Sequence, residues 1–267
     1  MNLMASLQVA LRSLASNKMR SGLTMLGIII GISAVIILVS VGQGVQTMVV
    51  EEMQGMGSNI MFVMPGQLEQ SNASMRTNFL RSANISTLTL GDVQAITHRA
   101  NVPDVVAVAP EFVGTGTAVY GGKNTNTTIS GVTPGYTEVR SFYPILGRFI
   151  EENDLRTEAR VAVLGQTALE ELFAVGVNPI GQVLKINRVP FRIVGVMERK
   201  GGTAFSDEDD MILIPLTSAQ TRLFGGRQVT GEYTVSVIYA QATSESRMEA
   251  AREQIRNVLR RRHGLIY

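Results

Sequence analysis

Acidic side chains are the residues of this chain whose spacing comes closest to that of a metal-binding or catalytic site. The run Asp207–Asp210 places four carboxylates side by side, and carboxylate oxygens are ligands of hard cations such as Ca²⁺. Because the run lacks the spaced ligands and the glycine of a calcium-binding loop, we interpret it as a solvated loop. Glu151, Glu152 and Asp154 are interpreted as a charged turn rather than as an acid and base pair.

The sequence lacks the other patterns that would point to an enzyme. It has no cysteine, and its two histidines, His98 and His263, stand far apart. The nearest approach to a nucleotide-binding G-x-x-x-x-G-K-[ST] loop is Gly121-Gly122-Lys123, which lacks the spacing and the following Ser or Thr. No G-x-S-x-G motif of a serine hydrolase is present. We therefore predict no catalytic residue, no cofactor, no metal site and no enzymatic activity in this chain.

A long uncharged segment near the N-terminus dominates the rest of the sequence. Residues 21–50 carry no formal charge, and residues 22–41 are mostly apolar. A helix needs roughly 20 apolar residues to cross a hydrocarbon core of about 30 Å, and a helix satisfies its own backbone hydrogen bonds in lipid. We predict a transmembrane and stalk helix over residues 21–54. A cleaved signal peptide is disfavoured, because its apolar region is usually about 7–15 residues long.

Charges on the two sides of this segment predict its orientation. Arg12, Lys18 and Arg20 precede it, whereas Glu51 and Glu52 follow it. Lys and Arg next to a span stay preferentially in the cytoplasm. We therefore expect a single span in the inner (cytoplasmic) membrane, with a cytoplasmic N-terminus and an extracytoplasmic, periplasmic main domain.

Two further features of the N-terminal region leave alternatives open. Residues 1–20 carry leucines at helical spacing, which suits a cytoplasmic amphipathic segment on the membrane or a plain helical lead-in. Gly27 and Gly31 form a G-x-x-x-G pair, a spacing that lets two helices approach closely in lipid. Glycine is also common in transmembrane helices for other reasons. The pair is our candidate helix-packing site.

After the stalk, signals for strands and helices alternate, which predicts an α+β fold built from α/β-type subdomains. The pattern of strand and helix signals changes near residue 133 and again near residue 228. We therefore predict a discontinuous subdomain made of residues 55–132 and 228–267. A smaller α/β subdomain, residues 133–227, would be inserted into it.

Local signals predict several individual elements. Thr89 is a plausible N-cap for a helix over residues 90–98. Paired glycines at 121–122 indicate a hairpin turn, and Asn187-Arg188 is interpreted as a second turn between paired strands.

Longer segments give further predictions. Residues 105–119 are interpreted as extended but broken at Pro110 and in the Gly114–Gly116 region. The polar residues 67–86 predict a surface loop, and apolar residues at helical spacing predict a helix over 244–262.

These features together resemble the permease subunits of the MacB/FtsX-like ABC transporters, over nearly the whole chain. No single motif is specific to that family, but their order and spacing are. The segments that carry the resemblance are Leu11–Ile32, Gly42-Gln43-Gly44, Gly57-Ser58-Asn59, Val161–Gly165, Pro179-Ile180-Gly181, Gly195-Val196, Asp207–Pro215 and Thr217–Phe224.

The resemblance implies a fold, a role and a set of partners. In that family the first transmembrane helix leads into an extracytoplasmic domain with a porter-like subdomain and a smaller inserted one. Two permeases pair as a homo- or heterodimer in the lipid bilayer, and a separate ABC ATPase subunit drives export or efflux, with a periplasmic adaptor as a further partner. The three N-terminal cations exceed the net charge of +2, so the rest of the chain is near neutral. A nucleic-acid partner is therefore not expected.

The family permeases continue into three more transmembrane helices, whereas this sequence ends at Tyr267 without a second apolar run. We therefore expect either a truncated permease or a chain that depends on a separate partner. The alternative function is a membrane-tethered binding or adaptor domain without a transport cycle of its own.

Overall fold

The apolar N-terminal segment forms one long helix, α1 (Lys18–Gly55). The computed structural model describes residues 18–55, 59–65, 87–201, 207–227 and 231–264. The predictions made for residues 1–17 and for the polar segment 67–86 lie outside this range. The chain divides into two units, Met1–Gly55 and Met56–Tyr267, and the second unit is called the head below.

Strands and helices alternate along the head, as the sequence predicts. Its strands are β1 (Ile60–Val63), β2 (Val105–Tyr120), β3 (Lys123–Val132), β4 (Pro144–Gly147), β5 (Val161–Leu164), β6 (Val183–Ile186), β7 (Val189–Met197), β8 (Met211–Pro215) and β9 (Val237–Ala242). Its helices are α2 (Leu90–Thr97), α3 (Tyr136–Arg140), α4 (Glu152–Arg156), α5 (Gln166–Leu172), α6 (Leu216–Ser218), a π-helix (Ala219–Phe224), a 3₁₀ turn (Glu245–Arg247) and α7 (Met248–Arg262). The mixed α+β class is confirmed.

All nine strands described for the head belong to one sheet, which closes on itself at one end. The strand order is β1-β9-β2-β3-β8-β5-β7-β4, and β6 pairs with both β2 and β7. Strands β2, β3, β8, β5, β7 and β6 therefore form a closed ring, which we call the barrel. Closing a sheet into a ring removes its open edges. Among the pairs formed by described residues, only β3–β8 and β5–β7 are parallel.

Strand β2 belongs to both parts of the sheet. Its first half pairs with β9, and its second half pairs with β3 from Glu111 onward. The predicted breaks at Pro110 and in the Gly114–Gly116 region are wrong, because the strand runs through both without interruption. Pro110 lies where β9 is the partner and pairing with β3 has not yet begun, an edge-like position that tolerates a missing N–H.

Two tight turns at the barrel confirm the predicted hairpins. Gly121 and Gly122 connect β2 to β3 with φ values of 56° and 86°, the left-handed conformation that glycine adopts without steric cost. Asn187 and Arg188 connect β6 to β7 with φ values of 45° and 71°. Positive φ at both central residues defines the type I′ turn, whose twist matches that of paired strands.

Helices α2 and α7 also match the sequence-based expectation. Thr89 caps α2, and its side chain accepts a hydrogen bond from the Asp92 backbone N–H while Asp92 accepts one from Thr89 N–H. This reciprocal capping box satisfies two backbone groups that the helix leaves free. The amphipathic helix predicted over 244–262 appears as the 3₁₀ turn followed by α7.

The core lies on both faces of the sheet. One cluster fills the barrel and continues under α2 and α7; it includes Ile96, Ile129, Leu164, Leu184, Phe191, Ile212, Ile238 and Ile255. A second cluster lies on the opposite face; it includes Ala109, Val132, Tyr136, Phe142, Ile150, Leu213 and Tyr239.

The division of the head into two subdomains stays a prediction. Strands β1, β2, β3 and β9 come from residues 55–132 and 228–267, and β4–β8 come from residues 133–227. The two sets are neighbours within one sheet, joined by the β3–β8 and β2–β6 pairs. Any boundary between the predicted subdomains therefore runs between hydrogen-bonded strands.

Candidate functional site

Helix α1 is long and apolar enough to cross a membrane. The segment Lys18–Gly44 spans 27 residues and contains an 18-residue window with a mean hydropathy of 2.7, and at 1.5 Å per residue the segment is about 40 Å long. Large apolar side chains on it, such as Ile28 and Ile37, are 61% and 62% exposed. An exposed apolar surface of this extent is typical of a segment that lies in lipid or against a partner.

The candidate packing and orientation residues of the sequence lie on this helix. Gly27 and Gly31 are one turn apart on the same helix side, and a Cβ added at either would meet no atom within 4 Å. Lys18 and Arg20 lie exposed at the helix start, and Arg12 lies outside the described residues. The structure brings the two glycines together on one face, and their role in helix pairing stays a prediction.

The head contains a buried ionic network that connects five separate segments of the chain. We use this name for Glu111 on β2, Arg140 at the end of α3, Lys200 after β7, Glu208 before β8 and Tyr239 on β9. Glu111, Arg140 and Tyr239 are buried at 3%, 5% and 5% exposure. Three members of the network come from the predicted insert and two from the predicted discontinuous subdomain.

Arg140 lies at the centre of the buried ionic network. Its Nη2 is 2.9 Å from Glu208 Oε1, and its guanidinium carbon lies 5.1 Å from the centre of the Tyr239 ring. The Tyr239 hydroxyl donates to the Glu111 carboxylate. Lys200 Nζ donates to the Arg140 carbonyl oxygen at 2.8 Å and lies 3.7 Å from Glu208. Cation, carboxylate and ring thus hold the five segments together.

Burial and neighbouring charges shift the pKa values of three members of this network. Burial raises the pKa of Glu111, and the Tyr239 hydroxyl and Arg140 only partly offset this effect. Burial and the nearby Arg140 charge lower the pKa of Lys200. For Arg140, burial lowers the pKa, but the surrounding tyrosines and carboxylates outweigh it and raise the pKa overall. Arg140 is therefore the permanent charge of the network.

The acidic run is part of this structure, so its interpretation as a solvated loop is wrong. Asp209 is 2% exposed, and its carboxylate accepts hydrogen bonds from the backbone N–H groups of Lys200 at 2.9 Å and Gly201 at 3.1 Å. Glu208 pairs with Arg140. Asp209 and Glu208 thus bind backbone and cationic groups of the head itself. Within the described residues no cluster of His, Asp and Glu could hold a metal ion.

A second ionic cluster connects α2 to the end of α7. Asp92 is 1% exposed and accepts hydrogen bonds from Arg262 Nε at 2.6 Å and from the His263 ring, 3.0 Å away. Burial raises the pKa of Asp92, but Arg262, the Thr89 backbone N–H and His263 outweigh it and lower the pKa overall. Arg262 therefore links the end of α7 to the first turn of α2.

The comparisons with known proteins give the family. The model of the MacB-like periplasmic core domain matches residues 21–258, which is most of the chain. This chain belongs to that family. The match begins inside α1 and ends inside α7.

Curated relatives agree with membership of the MacB-like family. Three of them are macrolide export ATP-binding/permease proteins MacB. The protein from Chlorobium luteolum is 33% identical over 97% of this chain, that from Bdellovibrio bacteriovorus is 37% identical over 82%, and that from Rhodospirillum rubrum is 35% identical over 98%. The chain spans only 37%, 32% and 38% of the length of these three relatives.

Solved structures share the fold of the MacB-like head. The periplasmic region of MacB from Actinobacillus actinomycetemcomitans matches with a TM-score of 0.62 at 22% identity, covering 79% of this chain and 87% of that one. The extracellular domain of the ABC-type transporter YknZ from Gram-positive bacteria matches with a TM-score of 0.56 at 22% identity, covering 77% and 94%. The periplasmic-domain fold of the family is confirmed.

Sequence reasoning did not find the buried ionic network of this MacB-like head. Its members lie at positions 111, 140, 200, 208 and 239, and no spacing along the chain connects them. One local signal was available. Glu111 is the single charged residue of β2, in the otherwise uncharged sequence Val105–Tyr120, and a lone charge in such a strand indicates a buried partner.

Proposed function

We propose that this chain is the permease component of a MacB-type ABC transporter, which relays ATP-driven motion across the membrane to its head for export or efflux. ATP hydrolysis would take place on a partner ABC ATPase subunit. In the lipid bilayer the chain would pair with a second permease, and a periplasmic adaptor would bind on the outer side.

The match of residues 21–258 to the MacB-like family carries this proposal. It includes most of α1 as well as the head, so the membrane segment and the periplasmic fold are matched together. The relatives that cover nearly the whole chain are named as ATP-binding/permease proteins. Residues 1–267 contain no Walker A sequence, so the proposal assigns ATP hydrolysis to a part of the transporter outside them.

The construction of the head suits the transmission of force. Strand β2 runs through 16 residues, a length of about 50 Å at 3.3 Å per residue. It forms part of the barrel and pairs with β9 outside it. The buried ionic network adds a second link, since Arg140 connects α3 and the Glu208 segment to Tyr239 on β9. In this proposal the parts connected in this way move together.

The absence of cysteine from the sequence makes a direct test practical. Val175, which is fully exposed, is replaced by cysteine and spin-labelled in the full chain, co-purified from membranes with its ABC ATPase subunit. We expect the distance between labels on paired copies to change between ATP-bound and nucleotide-free states. An ATPase subunit that binds but does not hydrolyse ATP is the control for turnover.

The same experiment distinguishes the alternative function. A membrane-tethered adaptor would co-purify with a partner protein but would show the same label distance in every nucleotide state. Complexes that contain no ATPase subunit would contradict the permease proposal.

A further inference from the structure

Part of one sheet face is left uncovered by the helices that the structure describes in the head. Near Glu111 the face is covered by α3, but farther along β2 the alternate positions Thr117 and Val119 are exposed. Val119 is paired with Lys185 of β6, and β6 continues the face onto β7. Apart from the buried Glu111, strands β2, β3, β6 and β7 contain no acidic residue.

Cationic side chains lie on this uncovered face. Lys185 and Arg192 are both exposed. In the β6–β7 register, Lys185 is opposite Pro190 and Val183 is opposite Arg192, so the two cations lie on the same face at diagonal positions. Like charges at neighbouring cross-strand positions repel each other. Arg160 is next to them, since its carbonyl oxygen accepts a hydrogen bond from Arg192 N–H at 2.8 Å.

These cations have no counter-ions within the part of the chain that the structure describes. Lys185, Arg188, Arg192 and Arg160 form no ion pair there, whereas elsewhere in the head the arginines commonly pair with carboxylates. Examples of such pairs are Arg148–Asp154, Arg222–Glu158, Arg247–Asp104 and Arg262–Asp92. Among the described residues, the positive charge of this face is therefore left without a paired carboxylate.

Arg188, in the turn between β6 and β7, adds a further cation in a strained backbone conformation. Arg188 has a φ of 71°, which favours glycine, and Asn-Gly is the preferred pair for a type I′ turn. The neighbouring Asn187 already fits the turn, since its side chain accepts a hydrogen bond from Thr117 N–H at 3.0 Å. Arginine at the next position therefore adds charge where glycine would fit with less strain.

We propose that Val119, Val183, Lys185, Arg188 and Arg192, which we call the cationic face, bind an acidic segment of a different extracytoplasmic protein. Val119 and Val183 are 37% and 51% exposed, so the segment would present carboxylates together with small apolar side chains. Charge complementarity of this kind speeds association and sets the register of a complex. The proposal needs the head to face a partner but does not need the ATP-driven relay.

The test uses the full chain in phosphatidylcholine nanodiscs and a fluorescent peptide in which glutamate and valine alternate. We expect peptide binding, measured by fluorescence anisotropy, to weaken as salt screens the charges. The double variant Lys185→Glu/Arg192→Glu should lose about tenfold in affinity. Arg188→Gly should lose about threefold while its thermal stability stays equal or increases, because the strained position is relieved.

A matched control distinguishes peptide binding at the cationic face from general attraction between opposite charges. Arg99 and Arg260 are exposed and also form no ion pair with described residues, so Arg99→Glu/Arg260→Glu makes the same change of charge elsewhere. This variant should bind the peptide like the wild type. Equal losses in both double variants would overturn the proposal, as would equally tight binding of a peptide with glutamine in place of glutamate.

A lipid surface is the competing source of negative charge. Binding of phosphatidylglycerol vesicles that depends on Lys185 and Arg192, without binding of the acidic peptide, would overturn the proposal in favour of a membrane contact. None of these outcomes bears on the nucleotide-dependent motion, so this inference and the proposed function fail independently.

Discussion

At the scale of single residues, Glu111 is an acidic side chain that is buried in the head. Because burial raises its pKa in the folded chain, the folded state keeps the proton to a higher pH than the unfolded state. Its contribution to stability therefore falls as pH rises through the raised pKa. In Glu111→Gln this titration is absent. We expect the melting temperature of the variant, relative to wild type, to rise by a few degrees as the pH rises from the ordinary pKa of a glutamate, about 4.3, through the raised one.

The control for this variant is Glu138→Gln, which changes an exposed glutamate of α3. The Tyr239 hydroxyl still has an amide oxygen to donate to in Glu111→Gln, so the change removes charge and keeps the hydrogen bond. The same pH trend in both variants, measured by thermal unfolding of the full chain, would contradict the assignment.

Arg140 gives the second prediction at this scale. Arg140→Met leaves the carboxylates of Glu111 and Glu208 without their central cation, and breaking a buried ion pair by removing one partner costs about 3–5 kcal/mol. Arg140→Lys keeps the charge but loses the planar group over the Tyr239 ring, so its loss should be smaller. Urea unfolding of the full chain in detergent measures both. A methionine variant as stable as wild type would show that the network contributes no net stability.

At the scale of elements, the π-helix depends on a glycine in the strand beneath it. A Cβ at Gly131 of β3 would lie 2.4 Å from the Ala219 Cβ, too close for both to stay in place. Gly131→Ala should therefore displace the π-helix and destabilise the head by about 1–3 kcal/mol. Gly135→Ala is the matched control, since its nearest neighbour is 3.9 Å away. Equal stability of the two variants in urea would contradict this packing.

Helix α1 gives a prediction that concerns pairing in lipid. Gly31→Leu fills the small-residue side of the helix and should weaken self-association severalfold in a membrane reporter assay. Ser33→Leu makes a comparable increase in size on the other side of the helix and should have little effect. If Gly31→Leu pairs as strongly as wild type, Gly27 and Gly31 do not form the interface.

Elements with local signals could be predicted from the sequence, and those that depend on distant partners could not. Thr89, the glycines at 121–122 and the turn at Asn187-Arg188 act through their own neighbours, and the structure confirms them. Pro110 misled the prediction because its tolerance depends on where β3 begins to pair. The closure of the barrel through β6 and the position of Arg140 depend on contacts between residues far apart in sequence. Spacing along one chain does not encode such contacts.

At the scale of the whole molecule, the orientation of the chain is open to direct measurement. A single cysteine at Val175 of the head should react with a membrane-impermeant maleimide in intact cells. A cysteine at Arg20 should react only after the membrane is permeabilised, because cations beside a span stay in the cytoplasm. The natural absence of cysteine removes background labelling. The reverse pattern of labelling would place the head in the cytoplasm.

The shared strand β2 has a consequence for building hybrids between relatives. Residues 133–227 supply only four strands of the six-stranded ring, β5, β6, β7 and β8, and the other two come from β2 and β3. A graft of that stretch alone would have to pair its β6 and β8 with the β2–β3 hairpin of another protein. Transplants whose junctions lie in the β1–α2 and α7 regions, which carry the hairpin along, should give folded chimaeras more often.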